Sequence, residues 1–309
     1  MQATRALNNP SSTPPERYSG HESFACRYGW LTKIYQLICL QPEYFQDIDQ
    51  MMVELGLGKN MAKSLRFWVG GFDLVADTAA RTIERTAFAD WLLDAKKGHD
   101  PYLEDLQSLW LLHWRLTATA HLAAWHLLFY ETPETETLRS RAQERLIQRS
   151  QSTGRTLAPS TARQHIDIFL STYAARPARS ANALEHVLAC PLQELGLVSV
   201  RSHDRNDDVV LLERGERPSL APITLARLIA DYWRLRAPAD RSISLASLML
   251  DVASPGLVLR MEEGALAESI DAMVREYPKV FIYTHGIERQ TLTCKADSLD
   301  EMVQLLEYV

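Results

Sequence analysis

Ile48-Asp-Gln-Met-Met-Val-Glu-Leu-Gly-Leu-Gly-Lys-Asn-Met-Ala-Lys-Ser-Leu-Arg-Phe-Trp-Val69 is the stretch that decides the fold class. Ile48, Met51, Met52 and Leu55 recur at helical spacing, and Gly56-Leu57-Gly58 ends that helix with residues that tolerate a positive φ. The spacing predicts a second helix from Lys59 to Val69, broken by Gly70-Gly71. A short helix, a glycine turn and a second helix make the layout of a helix-turn-helix. Ala62, Leu65 and Val69 line one face of the second helix, while Lys59, Lys63 and Arg66 share another at i, i+4 and i+7. Such a helix buries one side and offers cations to phosphates on the other. Asn60 and Ser64 stand beside them as hydrogen-bonding groups for base edges or backbone. Phe72–Arg85 is the segment expected to form a wing.

Upstream, residues 1–19 are rich in Asn, Ser, Thr and Pro and read as a flexible tail. Order is expected to begin at Gly20-His21-Glu22-Ser23-Phe24. A helix follows from Arg27 to Leu40 and stops at Gln41-Pro42. Downstream, Phe88-Ala-Asp-Trp-Leu-Leu predicts a short helix. Leu103 to Tyr130, with Trp110, Trp114 and Trp125, predicts one long helix apolar on nearly all sides, hence buried.

Composition then shifts. Glu131-Thr-Pro-Glu opens a polar helix, with Pro133 near its first turn. Between Arg139 and Arg179 stand eight arginines, no lysine and two acids, a local charge of +6 in a chain whose net charge is −6. Leu157-Ala-Pro-Ser-Thr-Ala-Arg opens another helix, buried through Ile166, Phe169, Leu170 and Tyr173. Arg163 and Gln164 lie near its start, as in a second reading helix. Arg139, Arg141, Arg145, Arg149 and Arg163 would extend a basic track. Leu197–Val200 and Val209–Leu212 predict two strands.

In the last third, helices are expected over Pro222–Arg236, Ser244–Asp251 and Glu262–Tyr277, and strands at Val280–Tyr283 and Gln290–Cys294. Helix, turn, helix and hairpin is again a winged-helix order. Asp240–Val309, however, holds six basic and twelve acidic residues, so a phosphate surface repels it and protein is the better partner. The expected fold is mainly α with small β-hairpins (α+β), as tandem winged helix-turn-helix-like modules. The expected domains are a tail at 1–19, an N-terminal DNA-binding domain at 20–130, a basic middle at 131–215 and an acidic C-terminal domain at 216–309.

Several function classes lose their warrant. With 46% hydrophobic and 23% charged residues the chain has the composition of a globular protein. No apolar run approaches the roughly 18 residues of a membrane span, and Met1–Glu16 has no apolar signal core. A cytoplasmic location without membrane contact is expected. Cys26, Cys39, Cys190 and Cys294 form no C-x-x-C pair and read as reduced thiols. A Walker loop over this turn needs Gly at position 53 and Ser or Thr at 60, where Val53 and Asn60 stand. His113, His121 and His126 lack metal-ligand spacing, and His113 and His126 read as core histidines. His21-Glu22 reads as a local polar cluster. No nucleophile elbow or dinucleotide fingerprint is present. No cofactor, no metal and no catalytic residue is expected.

The sequence also resembles a known bacterial family, at Gly20-His-Glu-Ser-Phe-Ala-Cys-Arg-Tyr-Gly-Trp-Leu, at Leu55-Gly-Leu-Gly-Lys-Asn-Met-Ala-Lys-Ser-Leu-Arg-Phe-Trp, at Asp100-Pro-Tyr-Leu-Glu-Asp with Leu109-Trp-Leu-Leu-His-Trp, and at Ala189-Cys-Pro-Leu-Gln-Glu-Leu-Gly-Leu. It is similar to the domain-of-unknown-function family four thousand and seven over most of residues 20–309. Phe88-Ala-Asp departs from that pattern, which has a Gly after the Phe. The resemblance implies a setting among DNA phosphorothioation or phage-defence genes, beside a sulfurtransferase, and no catalytic residues. Together these readings lead to a double-stranded-DNA-binding subunit that recruits a sulfurtransferase or other defence-system protein. The alternatives are a scaffold without DNA binding, a regulator of the gene cluster, and an unrecognised nuclease or sulfur-transfer enzyme.

Overall fold

The computed structural model describes residues 16–77, 83–175, 190–202, 207–286, 289–295, 301, 302 and 304. The chain forms two compact units, one of Met1–Leu128 with Glu136–Leu211, the other of Phe129–Thr135 with Leu212–Val309.

The first unit opens with α1 (Trp30–Leu40), α2 (Ile48–Leu55) and α3 (Lys59–Gly71). Asp47 caps α2, its carboxylate accepting from the Asp49 and Gln50 amides at 2.9 and 3.2 Å. Gly56 ends α2 at φ 62°, a left-handed conformation in which glycine carries no Cβ penalty. The helix–turn–helix order over 48–71 is therefore as expected. Behind α3 comes a hairpin of β1 (Val75–Asp77) and β2 (Ile83–Arg85), whose residues 78–82 lie outside the described ones. Thr86 then caps α4 (Ala87–Leu93) by accepting from the Ala89 amide at 3.1 Å.

The long helix expected over 103–130 is broken. It runs as α5 (Leu106–Thr119), turns at Ala120–Leu122 with His121 at φ 51°, and resumes as α6 (Ala123–Trp125) and a π turn over His126–Tyr130. The cause is tertiary. Arg17 inserts alongside, its N–H donating to the His121 carbonyl at 2.8 Å and its carbonyl accepting from Ala123 at 3.0 Å. Apolar periodicity runs through the break because both sides remain buried: Trp68, Trp110, Trp114 and Trp125 are all within 2% of full burial.

The polar helix expected from Glu131 begins later. Glu136–Leu138 is instead β3, paired antiparallel with β5 (Asp208–Leu212), and α7 (Arg139–Ser152) starts only at Arg139. β5 lies between β3 and β4 (Val198–Ser202). α8 (Pro159–Tyr173) packs on α7 and buries Ile166, Phe169 and Tyr173. Most of the basic 131–215 segment thus joins the N-terminal helices in one unit.

The second unit holds α9 (Pro222–Arg236), β6 (Ser242–Ser244), α10 (Leu245–Leu250), α11 (Pro255–Val258), α12 (Glu263–Glu276), β7 (Phe281–His285) and β8 (Gln290–Cys294). Its sheet has β8 at the centre, with the order β6-β8-β7. The expected helices and hairpin are there. A buried arginine organises the unit: the Arg260 guanidinium donates to the carbonyls of Thr132, Glu134 and Leu212 at 2.8, 3.1 and 3.2 Å. Burial, then the neighbouring Arg214 and Arg217, push its pKa down to about 10. No helix among the described residues is long and apolar enough to cross a membrane.

Candidate nucleic-acid interface

The site is built around a strap, residues 16–24, that ties α3 to α7 and α8 within the first unit. Glu16 accepts from Arg149 Nε at 2.8 and 2.9 Å, and its carbonyl takes a bond from Arg155 at 2.8 Å. Burial alone would raise the Glu16 carboxyl, but the Arg149 and Tyr18 hydrogen bonds and the Arg149 charge hold it below its ordinary value. Gly20 takes φ 113°, and a Cβ there would sit 2.8 Å from the Phe67 ring. The Phe24 carbonyl accepts from Ser64 Oγ at 3.1 Å and from Trp68 Nε1 at 2.9 Å. Glu16–Ser19 therefore belong to the folded unit, against the expectation of a tail to residue 19; residues 1–15 lie outside the described ones.

Beneath the strap, His21 and His165 stack with centroids 4.9 Å apart and bond Nε2 to Nδ1 at 2.7 Å. The Glu22 carbonyl, 2.8 Å from His21 Nδ1, can only accept, so His21 carries its proton on Nδ1 and its Nε2 accepts from His165. Both rings are buried, and burial lowers both pKa values; each ring also lies close to a positive or potentially positive neighbour, Arg17 for His21 and His21 for His165. His21 is thus a structural tie to α8 and not a member of a purely local polar cluster.

The expected interface residues divide by environment. Lys59 and Asn60 are exposed at the start of α3, and the Lys63 side chain is 46% exposed. Lys63 Nζ lies 4.0 Å from the Glu22 carboxylate, and the Glu22 carbonyl accepts from Gln164 at 2.8 Å. The exposed Arg163 precedes Gln164 at the start of α8, so this turn links the two basic helices. Arg66 is half-buried, its guanidinium 5.6 Å from the Phe45 ring centroid. Ser64 is fully buried and serves the strap, so it does not face a ligand. Arg139 pairs with Asp167 and Asp208, and Arg149 with Glu16. Both are committed to the protein's own carboxylates. Arg145 is half-buried and partnered, and Arg141 is exposed on α7.

One basic residue was missed: Arg17. It joins Lys63 and Arg66 along a cleft of about 370 Å³, completed by Gly20, Ile48, Phe67 and Gly70. Its place in a polar, proline-rich N-terminal stretch carried no helical or strand signal, so only the fold could bring it there.

Three further reactive groups lie in the core. Cys26 and Cys190 are wholly buried, and burial raises both thiols, that of Cys190 to about 12. His113 is a core histidine bonded to the Tyr173 hydroxyl at 2.8 Å. Among the described residues, no three or more His, Cys, Asp or Glu side chains gather as a metal site.

A family model described as a protein of unknown function, DUF4007, matches residues 18–309. Two solved structures are similar. A magnesium-ion-bound SspB crystal structure is 29% identical with a TM-score of 0.80, the match covering 94% of this chain and 89% of that one. A second SspB crystal structure is 30% identical with a TM-score of 0.79, covering 93% and 86%. The comparison with curated proteins gave no match.

Proposed function

The chain belongs to the DUF4007 family of proteins of unknown function, and from that premise we propose that it is a non-catalytic double-stranded-DNA-binding subunit of a bacterial phosphorothioation or related phage-defence system, recruiting a modification enzyme. The likeness to the SspB structures supports a related system. The observation that carries DNA binding is that Lys63 of α3 and Gln164 of α8 both meet the Glu22 turn, with Lys59 and Asn60 exposed at the start of α3 and Arg163 exposed beside Gln164. In this reading α2 and α3 act as a helix-turn-helix and the β1–β2 hairpin as its wing. Lys59, Lys63, Arg66, Arg163 and, further along α7, Arg141 contact phosphates. Asn60 and Gln164 are placed for base edges or backbone. The acidic second unit, repelled by phosphates, takes the protein partner.

Five phosphate contacts give a salt slope of about −4.5, so affinity falls roughly 500-fold between about 50 and 200 mM salt. Fluorescence anisotropy of a labelled random-sequence duplex measures this. A flat response, or binding unchanged in the Lys59/Lys63/Arg66 triple alanine, overturns the reading and leaves the scaffold role. Selective binding to the cluster's own promoter would identify a regulator instead.

The magnesium ion in one SspB structure favours a second reading, a metal-dependent enzyme acting on DNA. The described residues hold no ready cluster of three ligands for a metal, although magnesium is often held by one or two carboxylates and water. Plasmid cleavage that requires magnesium and stops with a chelator would replace the non-catalytic role.

A further inference from the structure

We propose that the cleft between Arg17, Lys63 and Arg66 is a seat for a single phosphate group of a nucleic-acid strand. The inference rests on the DNA-binding reading and deepens it, because it assigns one phosphate of the strand to one cleft of the basic surface.

Three cations from two distant parts of the chain meet at one cleft, and none of its lining residues is acidic. An anion in the cleft is attracted by all three. Other arginines of the same unit have carboxylate partners: Arg85 has Asp90, Arg115 has Asp73, Arg139 has Asp167 and Arg149 has Glu16. Among the described residues neither Arg17 nor Arg66 makes an ion pair, and the Glu22 carboxylate stands at the 4.0 Å limit from Lys63. Burial lowers the pKa of both guanidiniums, opposed at Arg66 by the charge of Asp47. A guanidinium does not escape that penalty by losing its proton, so a bound anion would offset it.

The two arginines are also held in place before any ligand arrives. Arg17 lies 4.5 Å from the Phe67 ring centroid and Arg66 5.6 Å from that of Phe45. A ring beside the guanidinium restrains it, and Arg66 Nη2 is further held by Met51 Sδ at 4.0 Å, which leaves its other terminal nitrogen to a ligand. The backbone of Arg17 is pinned by its two bonds to residues 121 and 123. Little ordering is then left for binding to pay, which is the condition for a specific seat. A volume of about 370 Å³ admits a phosphate with its attached sugar, and Ile48, Gly20 and Gly70 supply an apolar wall for the carbons.

The phosphate has two possible sources, an internal phosphodiester of the duplex or the monoester of a strand end or free nucleotide. Titration of the full chain with dAMP and with deoxyadenosine, read by calorimetry, is run beside duplex anisotropy across a salt series. Wild type is compared with Arg17→Gln, with Lys63→Gln on an exposed side chain that folding does not need, and with Lys96→Gln as a charge-matched control on a remote turn. The expected result is weaker duplex binding in Arg17→Gln and in Lys63→Gln, with a salt slope less steep by at most about 0.9 because the three cations share one phosphate, and neither change in Lys96→Gln. If dAMP also binds, is lost in the two cleft variants and is not matched by deoxyadenosine, the seat accepts terminal phosphate as well. If dAMP does not bind while duplex binding weakens, the seat is specific for the phosphodiester. Duplex and dAMP binding both unaffected in the cleft variants overturn the proposal. Cleft-dependent dAMP binding by a protein that ignores duplex altogether would refute the DNA reading and leave the phosphate seat standing.

Discussion

Replacing Arg149 by Met separates structure from ligand contact more sharply than any other change on the basic face. Sequence places Arg149 and Arg163 on the same track, but the fold puts Arg149 against Glu16 and leaves Arg163 exposed. The Arg149 side chain is 18% exposed and that of Glu16 17%, so solvent screens the pair only weakly. Its loss removes charge-assisted hydrogen bonds worth about 1.5–3 kcal/mol. It also leaves the half-buried Glu16 carboxylate, the strap's anchor to α7, with only the Tyr18 hydroxyl and the more distant His126 ring. Methionine keeps most of the stem's packing, so the cost stays near the middle of that range, about 2 kcal/mol. For a unit of this size each kcal/mol lowers Tm by about 2–4 °C, which predicts a fall of roughly 4–8 °C by calorimetry or circular dichroism. Duplex binding at temperatures where the variant is folded should keep the wild-type salt slope. Arg163→Ala should do the reverse, with Tm unchanged within about 1–2 °C and a slope less steep by about 0.9. An Arg149→Met protein that melts like wild type but loses a unit of salt slope would refute the division of the arginines into structural and phosphate-facing sets.

Three further outcomes follow from the same geometry. The His21–His165 pair has depressed pKa values in the fold, so the unfolded chain binds more protons once pH falls below the ordinary value of 6.5. Stability contributed by the pair is present above that pH and drains away below it, by up to about 1.4 kcal/mol per pH unit per histidine. A melting series from pH 8 to 5 should show it, and His21→Asn with His165→Gln should flatten that window. Gly20→Ala places a Cβ 2.8 Å from the Phe67 ring at φ 113°, and should destabilise the first unit by about 1–3 kcal/mol in urea unfolding without changing the size of the transition. Arg260→Leu leaves three carbonyls of the second unit without their donor, and should cost about 2–4 kcal/mol in that unit's thermal transition while duplex affinity is retained.

The amino-acid sequence by itself determined the local elements and their order. Periodicity and the Gly56 turn specify α2 and α3, Pro222–Arg236 is a helix end to end, and the β7–β8 hairpin stands where two strands are expected. Those signals are short in range, because a helix or hairpin is defined by neighbours a few residues away. The exposed cations at Lys59, Lys63 and Arg163 were legible for the same reason: each lies off the apolar stripe of its own helix. What only the tertiary structure decided is which polar groups are free to act. Ser64 and Arg149 look like surface residues in a helical pattern, yet one is spent on the Phe24 carbonyl and the other on Glu16. Arg17 looks like part of a tail, yet its backbone breaks the helix expected over 103–130 and its side chain completes a cleft with α3. All of these partners are more than 35 residues apart along the chain. No local pattern encodes them, since a charged side chain is exposed or paired according to what the fold brings beside it.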